Sequence, residues 1–444
     1  MRLVNEDAKA IGRRATVIAT AGFICHFFIM TAYYVLKPMR SSVFLSTWGK
    51  EYFAYFLIAN AVASFVASIV FSRLADTTTK RMFITGIQGF FIATIIGFWV
   101  YFYFTPIKGV ISAPTLMLSA GFILFVNCFV LFTVTPFWSL VNDLFAPEQG
   151  KKLFGFIGAG GTLGALCGSQ LTNGLAKRLG TMNLLPVSAG ILALTIPLFL
   201  YLMRMGGIAE REEEERAKRA KEKSKKKPSG GALQGLKIVI ERSYVAKIAT
   251  VVVLSTFCMT VIDYQLHVAV ADELTKLDQQ TAFFANAHKW IQLVSIPVHL
   301  VLTPLLLSYL GVGAALSLLP LGLIVGSVCI LTKASLNTLF FVFIATFALH
   351  YSVNQVSKEL LYVPCGDDVK YKAKAFIDIF GYRLGPVLCA AVQLVGGLFG
   401  VGLAAYSAVV VGSSMVWLPL IVTIHKSFKE ATSGDDTKNP AQAK

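Results

Sequence analysis

Long apolar runs recur along the whole chain and limit what it can fold into. A run of about 20 apolar residues can cross the hydrocarbon core of a bilayer as a helix. Hydrophobic residues make up 55% of the 444 residues and charged residues only 14%. A soluble chain of this length carries far more charge on its surfaces. The chain is therefore predicted to be an all-α polytopic membrane protein.

Twelve transmembrane helices are predicted from these runs. They cover roughly residues 15–38, 52–72, 82–104, 114–142, 153–175, 183–204, 244–270, 284–308, 311–332, 336–361, 374–397 and 402–425. Lys and Arg cluster before span one, between spans two and three, and between spans four and five. The positive-inside rule then puts both termini in the cytoplasm, and we expect the cell inner membrane. The start lacks a small-residue cleavage site, so no cleavable signal is expected.

A charged stretch separates the spans into two sets of six. Glu210 to Gly231 reads EREEEERAKRAKEKSKKKPSGG, which is acidic, then basic, then rich in Pro, Ser and Gly. Such charge blocks are typical of solvated linkers. The predicted domains are an N-terminal six-helix bundle over 1–205, a charged cytoplasmic linker over 206–243, a C-terminal six-helix bundle over 244–430 and a disordered tail over 431–444.

The two halves resemble each other. Spans four and ten both end near a proline, Pro147 and Pro364, and each is followed by a lysine-containing loop and a Gly-containing helix. Two pseudo-symmetric six-helix bundles joined by a linker are the layout of the major facilitator fold. The connector SRLADTTTKR between spans two and three resembles the short charged loop of that fold. We expect Asp76, with Arg73 and Arg81 as partners, to act in gating.

Ionisable residues inside spans are costly and usually face a cavity or one another. Lys37 and Arg40 in YYVLKPMRSS lie three residues apart, hence on one helix face, and Pro38 is expected to kink or end the helix there. Two interpretations stay open for this pair. The side chains are either anchors that reach the bilayer surface or ligands of an anion.

The seventh span carries a second polar group, in TVIDYQLH. Asp263 and His267 lie four residues apart. Asp263 is too deep in the span to be a simple interfacial anchor. It could pair with a cation of the first half, take a proton or contact a substrate, or form a salt bridge that only closes the cavity. His267 on an apolar helix is more often a satisfied polar residue than a ligand.

Cations occur near both edges of the predicted spans, so an anion crossing by alternating access would meet a positive partner from either side. Arg binds phosphate through its planar fork, whereas Lys acts as a point charge. The expected substrate-binding residues are Lys37, Arg40, Asp263, Lys358, Arg383, Asn354 and Asn142. The expected coupling or gating residues are Asp263, His267, Glu359, Asp378, Asp76 and Arg73.

Other chemistries are not indicated. The seven cysteines are odd in number and form no CxxC pair, so they are interpreted as small hydrophobes rather than a disulfide frame or metal site. The glycine run Gly155 to Gly168 lacks GxxxxGK[ST]. Its Gly160, Gly164 and Gly168 instead predict close helix packing. With no hydrolytic constellation, we expect no enzyme, cofactor, metal or nucleic-acid partner.

Several of these motifs resemble one known family. YYVLKPMRSS, TVIDYQLH and especially HYSVNQVSKELLYVPCGDDVKYKAKAFIDIFGYRLG are similar to the ATP/ADP translocases of plastids and intracellular bacteria, nucleotide transporters of the major facilitator type. The likeness covers nearly the whole chain and is most specific from Lys358 to Asp378. It implies nucleotide exchange. The family's lysine after span one falls on Arg40, its preceding arginine on Lys37, and its span-ten lysine on Lys358.

Three positions differ from the family pattern. The span-seven glutamate falls on Asp263, the lysine after it falls on His267, and the span-four acidic residue has only Asn127 as a polar counterpart nearby. The cargo therefore stays open among nucleotides and other phosphorylated metabolites. A proton-coupled carrier of another organic anion is the alternative, and a non-transporting receptor is the second. The expected partners are a small anionic substrate and the lipid bilayer, and the expected state is a monomer.

Overall fold

The computed structural model describes residues 2–107, 111–145, 147–206, 232–366 and 368–432, and over these residues it contains helices and no strand. The first half contains α1 (Arg2–Thr47), α2 (Phe53–Thr77), α3 (Lys80–Phe104), α4 (Ala113–Phe129), α5 (Thr135–Leu144), α6 (Pro147–Leu179), α7 (Leu184–Ala193) and α8 (Thr195–Gly206). The second half contains α9 (Ala232–Glu241), α10 (Ser243–Glu273), α11 (Leu277–Pro297), α12 (Thr303–Tyr309), α13 (Gly311–Thr332), α14 (Leu336–Leu349), α15 (Gln355–Leu360), α16 (Lys374–Phe376), α17 (Tyr382–Leu398) and α18 (Ala405–Thr432). Short π-helical turns lie at Val130–Val134, Val298–Leu302, His350–Asn354, Val369–Ala373 and Ile377–Gly381, and 3-10 turns at Lys50–Tyr52 and Thr181–Asn183.

Eleven helical stretches in the described part of the chain are long and apolar enough to cross a membrane. They correspond to eleven of the twelve predicted spans. The remaining predicted span, 153–175, lies inside α6, a helix of 33 residues whose many glycines lower its mean hydropathy. The prediction of an all-α polytopic membrane protein is confirmed.

The first helix contradicts one expectation. α1 does not end at Pro38 but continues to Thr47. Membrane helices tolerate proline because neighbouring groups and small local adjustments satisfy the freed backbone carbonyl. Lys37 is therefore followed by ten more helical residues, about 15 Å of helix. The assumption that Lys37 and Arg40 mark the end of the first helix was wrong.

The chain forms two compact units, each built from three chain segments. Unit one contains Met1–Gly49, Val62–Lys226 and Leu274–Lys289, and unit two contains Lys50–Ala61, Lys227–Glu273 and Trp290–Lys444. Most of the predicted linker over 206–243, and the predicted tail from residue 433, lie outside the described residues. The division into bundles at 1–205 and 244–430 stays a prediction.

Unit one is organised around the contact of α1 with α6. A Cβ added at Gly164 would lie 3.0 Å from the Phe27 Cα, and one at Gly160 would lie 3.1 Å from the Phe23 Cα. Gly168 meets the α1 backbone in the same way. The close helix packing predicted from the glycine spacing is therefore confirmed.

Unit two is organised around α10, most of whose length is buried. A Cβ at Gly385 of α17 would lie 2.6 Å from the Phe257 backbone nitrogen, so α10 and α17 touch backbone to backbone. Gln265 of α10 donates to the Leu403 carbonyl at 2.9 Å and to the Ser407 hydroxyl at 2.8 Å. These contacts fix the helix that carries Asp263 and His267.

The last residues of the predicted linker are ordered. α9 packs against the stretch that leads into α17, since a Cβ at Gly235 would lie 2.6 Å from the Phe376 Cβ and 2.7 Å from the Lys372 carbonyl oxygen. Only a glycine permits this approach. It supports the segment that carries the charged residues described next.

Candidate functional site

Lys358 forms the centre of a polar cluster in unit two. Its side chain is only 4% exposed, although an ammonium group normally stays in water. The Nζ atom donates to the Tyr382 Oη at 2.5 Å and lies 4.8 Å from the centroid of that ring. Tyr382 in turn donates its hydroxyl proton to Gln355 Oε1 at 3.2 Å. The closest partner of this buried cation is therefore a neutral phenol.

Two carboxylates lie farther from the ammonium group. The Lys358 Nζ is 3.5 Å from Glu359 Oε1 and 3.9 Å from Asp378 Oδ1. Lys374 lies 2.5 Å from Glu359 Oε2, so this carboxylate bridges two lysines. Gln355 completes the network by donating to Glu359 at 3.5 Å. Two cations and two anions balance in charge, but the Lys358 pairs are long and can be exchanged for a better anion.

The helix before Lys358 is locally widened. The π turn His350–Asn354 lies about one helical turn ahead of it, and such turns often occur at functional sites. Asn354 is buried, and its Nδ2 lies 3.4 Å from the His350 Nδ1. The buried Oδ1 of Asn354 and Oγ of Ser357 have no hydrogen-bond partner within the described residues. Buried polar atoms usually have one, so these atoms are candidate contacts for a polar ligand.

The loop beyond Lys358 lies outside the spans and is held by local charges. Lys372 is 2.7 Å from Asp368, and this hydrogen bond and charge hold the pKa of the exposed Asp368 carboxyl below its usual value. Burial raises the pKa of the Tyr362 phenol, which stays neutral at physiological pH. The Lys374 Nζ lies 5.4 Å from the centroid of the Tyr362 ring. This loop therefore holds Lys374 beside Glu359.

In unit one, Arg40 contacts Asn127, a polar residue of the fourth predicted span. The Arg40 guanidinium donates to Asn127 Oδ1 across the α1 and α4 contact. The Asn127 Nδ2 is buried with no hydrogen-bond partner among the described residues. A carboxylate here would cancel the guanidinium charge, whereas an amide satisfies one donor and leaves the charge in place.

Lys37 lies beside Tyr34 on α1, and aromatic rings of other helices pack against Tyr33 and Tyr34. Its Nζ is 5.0 Å from the Tyr34 ring centroid, a cation–π distance. Tyr33 stacks on Phe129 with centroids 5.5 Å apart, and Tyr34 meets the edge of His288 at 5.8 Å. Lys37 and Arg40 are both half-buried. Both residues thus lie within the length of α1 and not at its end. This position favours a role as ligands of an anion over a role as anchors at the bilayer surface.

Asp263 and His267 contact each other on α10. The His267 Nδ1 lies 2.8 Å from the Asp263 backbone oxygen and 3.5 Å from its carboxylate Oδ1. The His267 side chain is 5% exposed, and its ring centroid is 5.0 Å from that of Phe53. His267 is thus a satisfied, packed residue. The Asp263 carboxylate is 28% exposed and accessible to a ligand or a proton.

Three of the four remaining expected residues are exposed. Asn142 and Arg383 are exposed, and Arg383 directly follows Tyr382 in α17. Arg73 is exposed near the end of α2, where its backbone carbonyl accepts from Thr77. The side chain of Asp76 lies outside the described residues. The roles expected for these four residues stay predictions.

Tyr382 and Lys374 are the functional candidates that sequence reasoning missed. Tyr382 follows Lys358 by 24 residues, and no local pattern links an aromatic at that distance to a lysine. Lys374 belongs to a lysine-rich loop in which the sequence does not distinguish one lysine from another. Its contact with Glu359 depends on the turn of the chain between the two spans.

The charged groups around Lys358 and Arg40 are of the types that bind anions. In the described residues no group of three or more His, Cys, Asp or Glu side chains is placed to hold a metal ion. All seven cysteines are free thiols. An Arg with an amide partner and a buried Lys with exchangeable carboxylates both favour an anionic ligand.

The sequence matches the model of one protein family. The model of the Major Facilitator Superfamily matches residues 22–357, about three quarters of the chain. No curated protein sequence matches the chain. The match begins inside α1 and ends one residue before Lys358.

Solved structures of transporters share the fold. A peptide transporter POT in complex with sulfate has a TM-score of 0.65 at 13% identity, covering 94% of this chain and 96% of that one. A bacterial homologue of the iron transporter ferroportin, inward-facing, has a TM-score of 0.63 at 10% identity, covering 92% and 98%. The xylose transporter XylE from E. coli, inward-open, has a TM-score of 0.58 at 9% identity, covering 91% and 95%. These identities are low and establish the fold alone.

Proposed function

The chain belongs to the Major Facilitator Superfamily and is a secondary transporter, and we propose that its cargo is an anionic nucleotide or nucleotide-like phosphorylated metabolite. We further propose that it works by alternating access and exchanges one such anion for another. The observation that carries the proposal is Lys358, an ammonium group that is 4% exposed and has a neutral tyrosine as its closest partner. Glu359 and Asp378 lie 3.5 and 3.9 Å from the Lys358 Nζ, longer than an ideal ion pair, and a phosphate that approached more closely would replace them as its partner.

Arg40 provides independent support. Its contact with Asn127 satisfies a hydrogen bond without neutralising the guanidinium. The planar guanidinium can bind two phosphate oxygens at once. The nucleotide part of the proposal depends on the motifs around Lys37, Arg40 and Lys358 that resemble the ATP/ADP translocases.

Proteoliposome uptake tests the proposal. Purified protein is reconstituted, and uptake of labelled ATP, ADP, other nucleotides and phosphorylated sugars is measured into empty vesicles and vesicles loaded with unlabelled solute. Exchange predicts uptake only into loaded vesicles. Arg40→Gln and Lys358→Gln should each lower uptake about tenfold or more, because a charge-assisted hydrogen bond contributes about 1.5–3 kcal/mol. Lys333→Gln, which removes an exposed lysine, is the matched control.

A proton-coupled carrier of another organic anion is the second candidate. It is favoured by the partly exposed Asp263 carboxylate next to His267 on α10. It predicts uptake into empty vesicles that depends on an imposed pH gradient and falls in Asp263→Asn. Absence of nucleotide transport together with such uptake would replace the nucleotide assignment. Membership of a transporter superfamily disfavours the non-transporting receptor.

The membrane and the orientation are also proposed. The Lys and Arg residues around the first five spans support a cytoplasmic position for both termini, and the cell inner membrane is the proposed location. A C-terminal reporter that fluoresces only in the cytoplasm should therefore be active. The monomeric state is likewise proposed, and the mass of the detergent-solubilised protein tests it.

A further inference from the structure

An apolar groove of about 600 Å³ lies in unit one along α2, α3 and α4. Its walls include Val70 and Leu74 of α2, Phe90 of α3 and Phe125 of α4. The volume is in the range of small-molecule sites. Neither Lys37 nor Arg40 lines it, so it is separate from the candidate cargo residues of unit one.

Glycines keep the groove open. Gly86 of α3 and Gly121 of α4 both line it, and a Cβ at either position would meet no atom within 4 Å. Elsewhere in this unit the glycines of α6 admit another helix, as Gly164 does with Phe27. The groove glycines have no protein neighbour of this kind, so the space beside them can admit a ligand.

In the chain, two arginines directly precede lining residues of the groove. Leu74 and Met82 line it, and the residues directly before them, Arg73 and Arg81, are exposed. From Met82 the groove continues along α3 to Phe90, about 12 Å farther at 1.5 Å per residue. The groove thus has apolar walls along α3, and two exposed arginines are the sequence neighbours of its lining residues Leu74 and Met82.

We propose that this groove binds an anionic phospholipid, with an acyl chain between α2, α3 and α4 and the headgroup phosphate at Arg73 and Arg81. A soluble anion would gain nothing from the apolar walls, and an uncharged apolar compound would gain nothing from the arginines. Basic residues beside membrane helices favour anionic lipids. The site does not depend on the identity of the cargo.

Native mass spectrometry of the delipidated protein tests this site. The protein is titrated with phosphatidylglycerol or with phosphatidylethanolamine of the same acyl chains. The double variant Gly86→Leu/Gly121→Leu fills the groove. Gly97→Leu is its control, because Gly97 lies on α3 but does not line the groove, and a Cβ there would also meet no atom within 4 Å. Arg73→Gln/Arg81→Gln removes the charges. Arg178→Gln/Arg204→Gln, at two other exposed arginines, removes the same net charge.

The wild type and both controls should retain phosphatidylglycerol in preference to phosphatidylethanolamine. The arginine variant should lose about tenfold in affinity for phosphatidylglycerol and keep its affinity for phosphatidylethanolamine. The groove-filled variant should lose both lipids. Equal retention of the two lipids by the wild type, or unchanged retention by either test variant, would overturn the proposal. If the double glycine variant does not fold, the single Gly86→Leu variant and the arginine variant decide it.

Discussion

At the scale of single residues, the two candidate cations keep their charge in different ways. Lys358 is buried against the Tyr382 hydroxyl, with carboxylates at 3.5 and 3.9 Å. Arg40 is half-buried against the Asn127 amide. Among the described residues, neither cation has a tight, ideal ion pair that would compete with an incoming anion, since such pairs are shorter, about 2.7–2.9 Å. Both positions therefore fit the proposal that they bind a phosphate.

Tyr382→Phe should weaken transport without removing a charge. The change deletes the closest partner of the Lys358 ammonium and its link to Gln355. Uptake should fall by about tenfold, the effect of one hydrogen bond to a charged group. Tyr309→Phe, at a tyrosine that is 80% exposed, should leave uptake unchanged in the same assay. Wild-type uptake by Tyr382→Phe would show that this phenol does not position Lys358.

Asn127→Asp should place a carboxylate against the Arg40 guanidinium. The new ion pair would cancel the positive charge offered to the cargo, so uptake should fall about tenfold. The thermal midpoint should stay the same or rise, because the guanidinium gains a stronger partner. Asn337→Asp, at an exposed position of α14, is the control. Undiminished uptake by Asn127→Asp would exclude Arg40 as a ligand of the anion.

The charged residues themselves could be picked out from the sequence, but their partners could not. An ionisable residue in an apolar run is conspicuous, so Lys37, Arg40 and Lys358 stand out. The partner of Lys358 lies on another helix and becomes its neighbour only through the packing of α17. Asn127 was recognised only as the nearest polar residue, and the structure shows its contact with Arg40.

At the scale of elements, three of the π turns fall into two kinds. The turns Val130–Val134 and Val298–Leu302 each contain the carbonyl four residues before a proline, Pro136 or Pro304. Proline donates no hydrogen bond and clashes with that carbonyl, so the helix widens there. The turn His350–Asn354 has no proline four residues beyond any of its carbonyls. Local sequence accounts for the first two turns, whereas the one beside Lys358 depends on its surroundings.

Gly164→Ala should destabilise the contact of α1 with α6. The new methyl group would press on the Phe27 backbone, which cannot rotate away as a side chain can. Overpacking of this kind costs about 1–3 kcal/mol. Gly158→Ala on the same helix would meet nothing within 4 Å and should be neutral or slightly stabilising. Thermal unfolding in detergent compares the two, and equal midpoints would contradict backbone contact at Gly164.

At the scale of the whole molecule, bilayer thickness explains why the spans could be predicted. A fixed hydrocarbon core sets a minimum helix length, so eleven of the twelve runs reappear as long apolar helices in the described residues. The bounds differ most at α1, which continues to Thr47 because Pro38 does not end it. The grouping of 274–289 with unit one follows from tertiary packing, which hydropathy does not encode.

Binding of a graded series of ligands tests most directly whether a buried lysine recognises the phosphates of the cargo. Adenosine, AMP, ADP and ATP are titrated into the purified wild type, Lys358→Gln and the control Lys333→Gln. In the wild type and the control, affinity should rise with the number of phosphates. In Lys358→Gln the affinity for ATP should fall about tenfold or more, while that for adenosine stays unchanged. Equal affinity of Lys358→Gln and the wild type for ATP would contradict a role of Lys358 in binding the cargo.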